Sequence, residues 1–196
     1  MRRAPADKTI VGILLAAGSS QRFGADKLLQ PLPAGEPVAV AAAKTLVAAI
    51  PRSLAVVRSG DGELAAAMRA AGLDLVVHAD AQRGIGSSIA AGVKASAAVQ
   101  GWVIALADMP WIEVETIQQV HSALAADASL AAPSYSGQRG HPVGFASRWL
   151  AQLVSLDGDS GARDLLKEHR RNLTLIETGD AGVLRDVDHP GDLLIP

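Results

Sequence analysis

The chain has 196 residues and a formal net charge of −2, with 49% hydrophobic residues but only 3% aromatic. That length buries a sizeable core, filled here by Ala, Leu and Val in place of rings. The charge balance excludes the basic face of an extended nucleic-acid footprint, and three Trp, two Phe and one Tyr are too few for a base-stacking surface. The absence of cysteine excludes disulfides, thiolate metal sites and cysteine nucleophiles.

The polar start, Met1 to Lys8, lacks an apolar segment of signal-peptide length, and no apolar run reaches ~20 residues. A cytoplasmic location with no membrane partner is therefore expected. In chain order, the apolar run Thr9–Ala16 reads as a buried first strand. Pro31, Pro33, Gly35 and Pro37 break the chain before a helix over Val38–Ile50, which Pro51 ends. A strand at Leu54–Val57 and a helix at Gly62–Ala71 follow. Leu64, Met68 and Leu73 lie near the spacing of an apolar helix face running into the strand Leu73–His78. The pattern continues with helix Ile85–Val99, strand Trp102–Ala107, helix Val114–Ala125, strand Ala128–Pro133, helix Ser160–His169 and strand Leu173–Thr178. This alternation predicts βαβ units: an α/β fold with a mostly parallel sheet covered by helices on both faces. Ser134–Phe145, rich in Gly, Ser and Pro, departs from it and predicts a small hairpin or insertion covering a binding crevice. No repeat, low-complexity tract or linker divides the chain, so one domain is expected.

The first strand opens into Leu15-Ala16-Ala17-Gly18-Ser19-Ser20-Gln21-Arg22-Phe23-Gly24-Ala25-Asp26-Lys27-Leu28-Leu29. Glycines let backbone N–H groups turn toward an anion, and Arg22 and Lys27 supply two cations for a triphosphate. The spacing fits neither a P-loop, since Gly24 is followed by Ala25-Asp26, nor a dinucleotide fingerprint, since Gly18 and Gly24 are too far apart. Asp108, in Ala107-Asp108-Met109-Pro110, ends the fourth strand. Ligands of such sheets bind beyond the carboxyl ends of the strands, so both loops converge on one crevice. A carboxylate facing a triphosphate suits Mg²⁺, although Asp before Pro also suits a helix cap. In the extended segment Asp186-Val187-Asp188 the two acids point to the same side. Ser87 and Ser88 open a helix, where they can cap it or meet an anionic ligand. The five histidines show no zinc spacing, and no G-x-S-x-G elbow is present.

Over its full length, Leu15–Leu29 resembles the signature loop of the nucleotidyltransferases, most closely the MobA-like group that makes molybdenum cofactor dinucleotides. Further segments match in order between Ile10 and Asp192: Gly84-Ile85-Gly86-Ser87-Ser88, Leu106-Ala107-Asp108-Met109-Pro110, Gly140-His141-Pro142, Gly158-Asp159-Ser160-Gly161-Ala162-Arg163 and Asp186-Val187-Asp188-His189-Pro190-Gly191-Asp192. In the last of these, His189 stands where Thr is usual and Gly191 where Glu is frequent. The resemblance implies a three-layer, Rossmann-like nucleotidyltransferase fold, with an NTP-binding half over about 8–110 and an acceptor-binding half over about 111–196. It implies nucleotide contacts from Leu15, Ala16, Ala17, Gly18, Ser19, Arg22, Lys27, Gly86 and Ser87, with Asp80 orienting base or ribose. Arg22, Lys27 and Asp108 become catalytic residues. Asp108 and Asp188 become ligands of Mg²⁺ or Mn²⁺, with Asp186 in reserve. His141 and Arg163 face the acceptor, Arg163 either contacting its phosphate or pairing with Asp159. The expected reaction moves a nucleoside monophosphate from an NTP to molybdopterin, releasing pyrophosphate, and the product serves a molybdenum hydroxylase. Leu-Ala-Ala-Gly at 15–18 resembles the cytidylyltransferase branch, where the guanylyltransferase branch usually has Leu-Ala-Gly-Gly, and so favours CTP over GTP. A sugar-phosphate or methylerythritol-phosphate nucleotidyltransferase, and a non-catalytic nucleotide-binding cofactor chaperone, are the rival readings.

Overall fold

The structure is a computed structural model and describes residues 9–18 and 26–194. Strand β1 (Ile10–Leu15) is buried at every position. Its side chains alternate between two clusters, Ile10 and Leu14 on one face and Val11, Ile13 and Leu15 on the other. A strand apolar on both sides belongs in the middle of a covered parallel sheet. β1 pairs in parallel with β2 (Ser53–Val57) and with β4 (Gly101–Leu106), and β3 (Asp74–Val77) extends the sheet beyond β2. On one face lie α1 (Val38–Ala49), α2 (Glu63–Ala70) and α4 (Val114–Ala125). On the other lie α3 (Ile85–Ala95), α5 (Leu150–Val154) and α6 (Arg163–Glu168). Ala39, Ala42, Ala43 and Leu46 lie in the buried stripe of α1, and the three small alanines bring that helix close to the sheet.

The second half changes direction. β7 (Val143–Ala146) enters antiparallel beside β4 and also pairs with β5 (Leu130–Tyr135). Ser134 of β5 pairs both with Arg139 of β6 (Gln138–Arg139) and with Glu177 of β8 (Leu173–Glu177). β6 and β7 therefore share one edge of β5, and β8 takes the other in parallel. The mostly parallel α/β sheet covered on both faces is thus as expected, with β6 and β7 as its antiparallel exceptions.

Three expectations about elements need correction. Ser134–Phe145 does contain a hairpin, with Ser136 and Gly137, both at positive φ, as its two-residue turn, but its end is no insertion: Val143–Ala146 is a fully buried strand of the sheet. The helix expected to reach Val99 stops at Ala95, where the indole N–H of the fully buried Trp102 is shared between the carbonyl and hydroxyl oxygens of Ser96. The helix expected from Ser160 begins at Arg163, because Gly158 and Gly161 adopt positive φ and make turns of the residues before it. α5 was not anticipated. No helix among the described residues is long and apolar enough to cross a membrane.

Candidate active site

The carboxyl ends of β1, β2 and β4 lie on one rim of the sheet, so the residues that follow them meet there. Lys27 opens a 3₁₀ turn, Lys27–Leu29, that the buried Leu28 anchors and the Asp26 carboxylate caps through the Leu28 N–H at 3.2 Å. This aims Lys27 Nζ at Asp108 Oδ2, 2.8 Å away, and at Asp188 Oδ1, 3.3 Å away. Burial works against the ammonium charge, but the two carboxylates prevail and hold Lys27 above its ordinary range.

Asp188 arrives from the far end of the chain. The Val187 N–H donates to the Asp108 carbonyl at 2.8 Å, so the two carboxylates share one backbone frame. Asp192 accepts from the N–H groups of Asp188 and His189 at 2.9 and 2.6 Å and closes the turn behind them. Further back, the buried Asp180 accepts from the Glu113 and Gly182 N–H groups and the Thr116 hydroxyl, each at 2.8 Å, tying this segment to the start of α4. Asp186 makes no ion pair among the described residues. Desolvation first and the Asp188 charge second raise its carboxyl above the usual range.

Two clefts adjoin this cluster. One of about 440 Å³ is lined by Leu15, Ala17, Gly18, Arg58, Gln82 and Ser88, with Asp108 at its edge. A smaller one of about 220 Å³ holds Arg139, His141 and Arg163. Leu15, Ile85, Leu106 and Asp159 line both.

The structure thus brings together Lys27, Asp108 and Asp188, with Leu15, Ala17 and Gly18 beside Asp108 in the larger cleft, while His141 and Arg163 line the smaller one next to it. Arg22 and Ser19 lie outside the described residues. Ala16 turns into the core on the opposite face. The Gly86 N–H is given to the Gly158 carbonyl at 2.9 Å. The Ser87 hydroxyl donates to the Gly84 carbonyl at 2.8 Å and lies 2.9 Å from His78 Nε2, beside a separate groove that also contains Arg83 and Lys94. Its neighbour Ser88 is the serine that lines the larger cleft. Asp80 is exposed before a 3₁₀ turn, and the next two residues, Ala81 and Gln82, reach the cleft instead. Arg163 and Asp159 form no ion pair among the described residues. Gly84, at φ 103°, sits where a Cβ would run into the Gly158 backbone, so the loops before α3 and α6 pack as one wall.

Sequence reasoning missed Arg58, Arg139 and Asp180. Arg58 follows β2 as Asp108 follows β4, and its Nη2 donates to the Ala17 carbonyl at 3.2 Å. The rule of strand carboxyl ends pointed to it. Arg139 stands two residues before His141. Asp180 carries the local signature of a cap, since its side chain accepts from the N–H two residues on.

Burial first and the Arg139 charge second lower the His141 imidazole to about 4, against a small opposing pull from Asp108. The unfolded chain takes up this proton near pH 6.5 and the folded chain near 4, so between them the unfolded state binds more protons. Stability is expected to fall on acidification through that window by about 3 kcal/mol, and His141→Asn to flatten this part of the profile. Urea unfolding at pH 7 and pH 4.5 for both proteins checks it. An equal loss in both would remove His141 as the source.

Two carboxylates already converge on one cation at this site. That donor set suits a magnesium-like ion, which takes one or two carboxylates and fills its other positions with phosphate oxygens and water. No group of three or more metal-binding side chains occurs among the described residues.

Residues 12–173 match the MobA-like NTP transferase domain. The chain is 34% identical over 192 residues to the purine catabolism protein PucB of Bacillus subtilis (strain 168), covering 92% of each. It is 30% identical over 191 residues to nicotine blue oxidoreductase of Paenarthrobacter nicotinovorans, covering 91% of this chain and 92% of that one. Among solved structures, Rv0371c of Mycobacterium tuberculosis H37Rv superimposes with a TM-score of 0.78 at 27% identity, over 95% of this chain and 96% of that one. A manganese complex of the same mycobacterial protein gives 0.75 at 26%, over 94% and 95%. The shared fold, the family match over most of the length and the two full-length relatives agree: the chain belongs to the MobA-like NTP transferase family.

Proposed function

We propose that the protein transfers CMP from CTP to the phosphate of molybdopterin or the molybdenum cofactor and releases pyrophosphate. The observation that carries this reading is Lys27 Nζ held between Asp108 and Asp188 at the carboxyl rim of the sheet. The larger cleft takes the nucleotide, with Leu15, Ala17 and Gly18 beneath it and Ser88 and Gln82 beside it. Lys27, permanently charged, neutralises the triphosphate and the departing pyrophosphate, and Arg22 is assigned the same task. Asp108 and Asp188 hold Mg²⁺ or Mn²⁺, which when bound supplies charge stabilisation at the reacting phosphates. His141 and Arg163 face the acceptor in the smaller cleft. The acceptor phosphate is already an anion near neutral pH, so positioning and electrostatics suffice and no general base is required. Similarity to a purine catabolism protein fits a product destined for a molybdenum hydroxylase acting on nitrogen heterocycles.

Pyrophosphate release with Mg²⁺ and each NTP, with and without molybdenum-loaded molybdopterin, tests this. Release that requires both CTP and the pterin is expected. Release with GTP instead moves the protein to the guanylyltransferase branch, and release with a sugar phosphate or methylerythritol phosphate replaces the acceptor. Nucleotide binding without release under any acceptor leaves a binding module. A second reading comes from the relative named an oxidoreductase: the protein would then catalyse a redox reaction and release no pyrophosphate with any NTP.

A further inference from the structure

The wall formed by the loops before α3 and α6 has two sides. Gly84, Ile85 and Ser88 line the larger cleft, while Arg83 and Ser87 line the separate groove of about 370 Å³ behind it. The facing segment divides in the same way: Asp159 lines both clefts and Asp157 lines the groove. Residues 160–163 carry that segment on into the smaller cleft. The two segments meet backbone to backbone. A Cβ on Gly86 would stand 2.7 Å from the Asp157 carbonyl oxygen, and the Gly86 N–H is already given to the Gly158 carbonyl. Across this seam Arg83 Nη2 donates to Asp157 Oδ2 at 2.7 Å, joining residues 74 positions apart. The Arg83 hydrogen bond first and the Gly158 backbone second hold the Asp157 carboxyl below its ordinary range, and Arg83 is raised in return. Asp80 adds a smaller pull on Arg83, and His78 on Asp157. The pair is open to solvent, its side chains 57% and 53% exposed, so it adds little to global stability. Its local leverage is greater, because residues 155–162 contain neither helix nor strand to hold them in place.

We infer that the Arg83–Asp157 pair is a latch that positions the wall shared by the two clefts and so sets the affinity for both substrates at once. The identity of those substrates rests on the nucleotidyl-transfer reading. Arg83 and Asp157 line neither cleft and act only through the loops they join, so they are positioning residues. With the latch open, Asp159 separates from Gly84, Ile85 and Ser88, and neither cleft keeps its shape. Only the fraction of molecules with a closed wall then binds, and both apparent affinities fall by that same fraction. The chemical step is spared, because Lys27, Asp108 and Asp188 stand together on other segments.

A charge-reversal cycle on the intact protein tests this. Arg83→Glu and Asp157→Arg are each expected to raise KM for CTP and for the acceptor about fivefold or more, with kcat within about twofold. The melt should stay within about 2 °C of the unmodified protein. The variant carrying both changes re-forms the pair in reverse and should recover both KM values. Lys94→Glu makes the same charge change in the same groove without touching the wall, and should leave both KM values within about twofold. Hydrogen exchange supplies a readout that needs no substrate: amides of residues 84–88 and 157–163 should exchange faster in each single variant and regain protection in the double one. If a reversal does not fold, Arg83→Gln, which removes the pair without adding a repulsion, takes its place. A double variant as impaired as the singles overturns the inference, as does an equal KM effect from Lys94→Glu, a loss confined to kcat, or unchanged exchange. If no NTP supports pyrophosphate release, yet exchange and the affinity for a non-hydrolysable CTP analogue still follow the pair, the latch stands and the nucleotidyl-transfer reading falls.

Discussion

Asp108→Asn is expected to slow CTP-dependent pyrophosphate release by about 10²–10³-fold while the protein stays folded. The side chain sits at the end of β4, a central strand, and is 24% exposed on the crevice side. It is therefore held rigidly by the sheet yet open to a ligand. Losing its charge removes the shorter of the two contacts to Lys27 and half of the carboxylate pair proposed to hold the metal. The direct cost to folding is small, about 1 kcal/mol, because Asp188 still faces Lys27 and the pair is only partly buried. Asp188→Asn should do the same to a lesser degree, since that carboxylate is 46% exposed and its contact with Lys27 is longer, 3.3 Å against 2.8 Å. Steady-state pyrophosphate release at varied Mg²⁺, alongside thermal melts, checks both. An unchanged rate in Asp108→Asn would remove the residue from the chemistry.

Asp180→Ala is expected to lower stability by about 3–5 kcal/mol, the largest folding effect foreseen for a single polar residue here. Asp180 is 4% exposed, and its two carboxylate oxygens take up three donors from two parts of the chain, the start of α4 and its own turn. Truncation strands two backbone N–H groups and a hydroxyl in a region closed to water. Asn should rescue little, since its terminal nitrogen would face a donor. The same change should weaken metal dependence, because the segment from Asp180 to Val187 frames the site: the Val187 N–H fixes the Asp108 carbonyl, and the Val183 carbonyl accepts from the His141 N–H at 3.0 Å. Guanidinium unfolding gives the first effect, and the Mg²⁺ concentration for half-maximal pyrophosphate release gives the second. A melt within 2 °C of the unmodified protein would mean that water replaces the carboxylate, since ~1 kcal/mol already shifts a domain of this size by about that much.

The legible parts of the fold share a physical cause. Ile10–Leu15 and Trp102–Leu106 announce themselves because a strand buried on both faces must be continuously apolar, and the stripe of α1 because one helix face must be. Lys27 and Asp108 were legible as candidates for a related reason: a glycine-bearing loop with a cation and an acid at the end of an apolar strand are local patterns tied to local backbone needs. By itself the sequence determined the α/β class, the family resemblance, and the nomination of Lys27, Asp108 and Asp188. Tertiary structure decided which of two acids reaches the cation, since Asp186 and Asp188 alternate alike along the chain and only the docking of Val187 on Asp108 brings Asp188 to Lys27. It also decided that Ser88 and not Ser87 lines the larger cleft, which depends on the rotation of α3 about its axis against the Gly158 loop. The strand β7 inserted between β4 and β5 was settled in the same way. Contacts between residues far apart in the chain leave no periodicity in either partner, because each segment alone satisfies its own backbone in several ways and only their packing selects one.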